Sequence, residues 1–119
     1  MAASHSITVP FVPPSGNHYR VPVWSQRRFY VTKEAKAFKE AIGYLWRVAV
    51  RGKAFAVDIK VTLGKGDRLD CDNGAKVVLD GLQEAGAFGN KSDAAVVDLH
   101  VWKCRDGSPA RTEITVTVL

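Results

Sequence analysis

Residues Ala54 to Leu63 alternate without interruption: Phe55, Val57, Ile59, Val61 and Leu63 fall on one face, and Ala56, Asp58, Lys60 and Thr62 on the other. Period two over this length is a strand with one buried face, and it demands something to cover that face. Gly64-Lys65-Gly66-Asp67 breaks the pattern, and a helical spacing takes over from about Asp72 to Ala85, with Ala75, Val78, Leu79, Leu82 and Ala85 on the apolar side and Gly86 as the stop. Two further strands are expected at Val96–Lys103 and Thr112–Leu119, joined by a turn at Asp106-Gly107-Ser108-Pro109.

Upstream, Ser6-Ile7-Thr8-Val9 reads as a short strand ended by Pro10. A first helix is expected from Thr32, a competent N-cap, with Glu34 in its first turn. Its stripe is Phe38, Ile42, Leu45 and Ala49 with Ala41, and its stop is Arg51-Gly52. The order predicts β-α-β-α-β-β: an α+β fold, one domain over 1–119, with a mixed sheet and both helices packed against it.

Charge separates along the chain. Residues 1–60 carry ten basic and three acidic side chains, a net of +7, whereas 61–119 carry seven basic and nine acidic, a net of −2. Seven of those acids lie between Asp67 and Asp98. A basic surface around an acidic focus suits a metal-dependent enzyme acting on a polyanion; solvated charged faces are the plainer explanation of the same numbers. No apolar run approaches the ~18 residues of a membrane helix, and Met1 to Thr8 lacks the basic and apolar regions of a secretion signal. Cys71 and Cys104 are too few for a disulfide framework and are not spaced as a zinc site, so a reducing cytoplasm is expected.

From Pro13 to Tyr30 the chain is rich in turn residues and mixes Arg20, Arg27 and Arg28 with Tyr19, Trp24, Phe29 and Tyr30. Such a loop suits phosphate contacts and base stacking, and each aromatic could equally pin the loop to the core. With Lys33, Lys36 and Arg68, these arginines are the expected DNA contacts.

Asp70-Cys71-Asp72-Asn73 is the strongest candidate for chemistry. In an extended segment, side chains two apart point to one side with Cα atoms ~6.6 Å apart, so both carboxylates can meet one hard cation. Asp72 at a helix start also has a purely structural use as a capping acid. Lys76 follows Asp72 by four residues and shares its helix face, where it can steady a metal-bound carboxylate or a phosphate oxygen. Asp80 lies another turn on, ~12 Å along the axis from Asp72, and is read as surface or interface. A third carboxylate is sought in Asp93, placed to reach back toward the N-terminus of the neighbouring helix.

The stretch from Asp70 to Leu82, followed by Ser92-Asp93-Ala94-Ala95-Val96-Val97, resembles the RusA family of Holliday junction resolvases, whose pattern is D-x-D-N-x-x-K, a helix, then D-D-x-x-V. Ile7-Thr8-Val9-Pro10 and the run from Pro13 to Arg20 resemble that family's opening, so the resemblance spans essentially the whole chain. It implies a homodimeric endonuclease that cuts four-way DNA junctions symmetrically with magnesium or manganese, in a bacterial cell carrying a phage or prophage. It also implies Asp70, Asp72 and Asp93 as metal-binding acids and Lys76 as the catalytic lysine. The sequence departs from the pattern at Ser92, which stands where the family has the first of two acids, and at Leu69, where the family often has a basic residue.

The rival reading is a protein of the same fold that binds branched DNA without cutting it. A sugar-nucleotide transferase using its D-x-D for metal is set aside, because the chain is too short for the nucleotide-binding sheet. None of His5, His18 and His100 lies near the acids in sequence, so no general base is assigned.

Overall fold

The computed structural model describes residues 3–14, 20–23, 28–48, 50–67, 69 and 71–119, with the backbone alone for 20–23, 28–31 and 71–73. Strands β1 (Ser4–Val9), β4 (Phe55–Thr62), β5 (Val96–Cys104) and β6 (Arg111–Val118) form a mixed sheet in the order β1-β6-β4-β5. β6 is antiparallel to both its neighbours, while β4 and β5 run parallel. A separate antiparallel ribbon joins β2 (Arg20–Val23) to β3 (Arg28–Val31). The chain thus has the expected α+β order, with this ribbon added inside the segment read as a loop. Pro22 is tolerated there because a two-stranded ribbon has only edge strands.

The alternation of β4 is realised as predicted as far as Val61, whereas Thr62, expected on the other face, is fully buried. Phe55, Val57, Ile59 and Val61 are buried under the helices, and Ala56, Asp58 and Lys60 are half-exposed on the other face. Ile114 and Val116 of β6 lie opposite Ile59 and Val57 and complete the helix-facing layer.

Helix α1 (Lys33–Leu45) is capped by the Thr32 hydroxyl, which accepts from the Ala35 N–H at 3.3 Å. It stops well short of Arg51-Gly52. Trp46 is extended (φ −83°, ψ 107°) and buried, and its indole N–H donates to the Val48 carbonyl at 2.8 Å, so burying this one ring ends the helix. Predicted stripe residue Ala49 lies outside the described residues. His5 packs edge-on against Trp46 and Phe11 against Phe38, so α1 runs back along β1 with its N-terminus beside the end of that strand.

Helix α2 (Cys71–Glu84) crosses from the end of β4 to the start of β5. At Gly81 the two helices approach closely: a Cβ there would stand 2.7 Å from Ile42 Cδ1 and 3.4 Å from Lys39 Cα. Lys39 also reaches across to Glu84 at 3.1 Å, joining the helices. Gly86, in the left-handed region at φ 81°, turns the chain out of α2 as predicted, and Phe88 then packs on Phe55 with ring centroids 5.3 Å apart. In the β5–β6 turn, the Ser108 amide and hydroxyl hold the Asp106 carboxyl below its ordinary value.

Candidate active site

The parallel pairing of β4 and β5 decides where the acidic residues lie. A helix linking two parallel strands must run antiparallel to them. Its first turn is therefore at the C-terminal end of β4 and β5, and its last turn at their N-terminal end. Asp72 is in the first turn of α2. The Asp93 N–H donates to the Gln83 side chain at 3.1 Å, at the far end of the same helix. Eleven residues of helix separate positions 72 and 83, roughly 16 Å at 1.5 Å per residue. Within one chain Asp93 thus sits beside the C-terminus of α2, not its N-terminus. The expected reach-back fails because the helix returns antiparallel to the strands.

Asp70 lies outside the described residues. Helical backbone from Cys71 onward means that Asp72 does not belong to an extended D-x-D segment; it enters the first turn, where the helix dipole favours its charge. The chain before it is well anchored. Lys103 Nζ donates to the Leu69 carbonyl at 2.5 Å, and Arg105 grips the Gly64 carbonyl at 2.5 Å and the Asp67 carbonyl. Asp67 itself accepts from the Gly64 N–H at 2.7 Å, closing the turn after β4. Gly74 has no room for a side chain beyond close contact: a Cβ would lie 3.1 Å from both Pro13 Cγ and Leu69 Cδ2. Leu69, where the related pattern favours a basic residue, is buried here and packs against this helix start.

Lys76 is exposed, and its Nζ lies 3.3 Å from Asp80 Oδ1, an i,i+4 pair along α2. Asp80 is the less exposed partner, which ties it to Lys76 more than the sequence suggested. Ser92 accepts from the Ala94 N–H at 3.2 Å and caps the 3-10 turn Asp93–Ala95. The hydroxyl therefore fills a structural role at the position where the related pattern carries an acid.

Of the expected DNA contacts, Lys33 and Lys36 are exposed at the start of α1. β1 and β4 are parallel through β6, so this helix start lies at the same end of the sheet as that of α2. Arg20 and Arg28 lie in the β2–β3 ribbon, while Arg27 and Arg68 lie outside the described residues. Sequence reasoning missed Lys103 and Arg105, which structure this end from β5; only the pairing of β5 with β4 reveals them. Among the described residues, no three His, Cys, Asp or Glu side chains converge as a metal-holding group. His100 pairs with Asp98 at 2.9 Å on exposed β5, and His18 lies outside the described residues.

A mixed sheet with two helix N-termini, an acid in a first turn and lysines at one sheet end describes a small α+β protein. The class is settled by comparison: the model of the endodeoxyribonuclease RusA family matches residues 10–117. The chain belongs to the RusA family, and with it to the nuclease hydrolases. No curated protein matches it. Among the described residues no helix is long and apolar enough to cross a membrane.

Proposed function

We propose that this protein is a magnesium- or manganese-dependent resolvase that cuts four-way DNA junctions by paired nicks, as a homodimer, in recombination and repair. The site is built on Asp70, Asp72, Lys76 and Asp93, and the setting is the cytoplasm of a bacterium carrying a phage or prophage. The carrying observation is the family match along nearly the whole chain, joined to the helix start that bears Asp72. Carboxylates are the right donors for a hard cation, which is commonly held by one or two of them together with substrate phosphate. A cation held there lowers the pKa of bound water and polarises the phosphoryl oxygen.

The residues of the chain supply the rest. Asp70 and Asp72 hold the cation at the end of the sheet where Lys33 and Lys36 receive the phosphate backbone. Lys76 is exposed and only loosely tied to Asp80 at 3.3 Å, so it can turn to a phosphate oxygen on which charge gathers. Asp93 cannot join them within its own chain, about a helix length away. A homodimer solves this if each copy delivers Asp93 to the partner's pair of acids, giving two equivalent sites about a two-fold axis.

The test is incubation with a labelled four-way junction and a matched linear duplex, with magnesium, manganese or a chelator. Paired nicks in the junction alone, abolished by the chelator, are expected. Tight junction binding with no product under any metal would favour the non-cleaving reading. Binding itself should weaken steeply with salt: if ~6 phosphates are neutralised, log K against log salt should slope at roughly −5. A flat response, measured by fluorescence anisotropy, would remove nucleic acid as the partner.

A further inference from the structure

A cleft of about 310 Å³ opens at the N-terminal end of β4 and β5, between residues 50–52 and 88–91. It lies at the far end of α2 from Asp72 and shares no residue with the proposed nuclease site. Its two walls repeat one pattern: Arg51 stands beside Gly52, and Asn90 and Lys91 follow Gly89. Val50 and Phe88 are buried beneath them and make an apolar floor.

The glycines set the shape. A Cβ on Gly52 would stand 2.5 Å from Val118 Cγ1, so this wall lies directly on the end of β6. Gly89 is in the left-handed region at φ 66°, and a Cβ there would lie 3.6 Å from the Val50 carbonyl oxygen. Two successive turns hold this second wall. The Gly89 N–H donates to the Gly86 carbonyl at 3.0 Å, and the Lys91 N–H to the Phe88 carbonyl at 3.1 Å. The cleft is thus formed before a ligand arrives, which lowers the ordering cost of binding.

Its charge has one sign. Arg51 and Lys91 are exposed, and among the described residues neither side chain has an ion pair or a hydrogen bond. No acidic side chain lines the cleft. The carbonyls of Gly81, Leu82 and Gln83, which end α2, accept from the Ala85, Ala87 and Gly86 N–H groups within the closing turn. A guanidinium can grip two oxygens of a phosphate, an ammonium adds a point charge, and an apolar floor suits the attached sugar. The volume falls at the low end of the ~300–1,000 Å³ of ligand-sized pockets, enough for a nucleotide unit as well as a lone ion. We infer that this cleft is a phosphate-ester site that holds one nucleotide of a DNA strand, away from the cleaved bond. That the strand belongs to the substrate rests on the nuclease reading; the phosphate chemistry stands on the cleft alone.

Amide spectra of the isotopically labelled full chain test it, by titration with thymidine 5′-monophosphate, inorganic phosphate and acetate. The nucleotide should shift the Gly52, Gly89 and Asn90 amides saturably, phosphate should do so more weakly, and acetate least. Arg51→Gln and Lys91→Gln should each weaken nucleotide binding by roughly two- to tenfold, and the double variant should lose saturation. Lys53→Gln removes an exposed cation that stands beside the cleft without lining it, and should leave the titration unchanged. All three side chains are exposed, so the variants are expected to fold. Acetate acting as well as the nucleotide, an unaltered double variant, or an equal loss in Lys53→Gln overturns the site. Fluorescence anisotropy on a four-way junction identifies the carrier of the phosphate: in the double variant the slope of log K against log salt should be shallower by ~1. An unchanged slope beside lost nucleotide binding would assign the cleft to a free nucleotide or phosphate and overturn the DNA strand. The two readings fail separately. Wild-type cutting without the amide shifts sinks only the cleft, and the shifts with an inactive wild type sink only the nuclease reading.

Discussion

Asp72→Asn should abolish cleavage of a labelled four-way junction, by at least about 100-fold, while junction affinity stays within a few-fold of wild type. Removing even an outer-shell partner of a metal ligand commonly costs 10–100-fold, and Asp72 is proposed to hold the cation directly. Affinity survives for a separate reason. The positive side chains that displace counterions, Lys33 and Lys36 among them, are untouched, and the lost charge is negative. The fold should survive as well. In the first turn of α2 the aspartate interacts with the helix dipole for only about 0.3–1 kcal/mol, and the anchoring of the preceding chain by Lys103 and Arg105 does not involve it. Circular dichroism confirms the fold, and gel assays separate binding from cutting. Nearly normal cutting would remove Asp72 from the site.

The elements that local pattern specifies were legible: the period-two face of Phe55, Val57, Ile59 and Val61, the Thr32 cap, and the Gly86 stop all stand where the sequence puts them. What escaped depends on contacts distant in sequence. α1 ends at Leu45 because Trp46 is drawn into the core beside His5, some forty residues upstream. The β2–β3 ribbon was hidden by Pro22 and the turn residues around it. Most consequential is the site. Spacing along the chain makes Asp70, Asp72 and Asp93 look like one cluster, but distance in a β-α-β unit depends on which strands pair and in which direction. Nothing in the local pattern of β5 says that it lies parallel to β4. That one topological fact carries Asp93 to the opposite end of α2 from Asp72.

The same separation makes a mixing experiment decisive. Asp72→Asn and Asp93→Asn should each be inactive alone, yet cutting should return when the two are unfolded together and refolded as mixed dimers. If each site takes Asp72 from one copy and Asp93 from the other, a mixed dimer holds one site with both lesions and one site with neither. Random assortment makes half the dimers mixed, so about a quarter of all sites should be intact. Those dimers should leave single nicks instead of resolved duplexes, because resolution needs two cuts and each mixed dimer has one working site. A site contained within one chain predicts the opposite: every copy carries a lesion, and no assortment restores it. A denaturing gel that resolves nicked strands, read beside a native gel for resolved products, distinguishes the two. Persistent inactivity of the mixture, with mixed dimers verified by a size tag on one variant, would mean that Asp93 does not complete the partner's site.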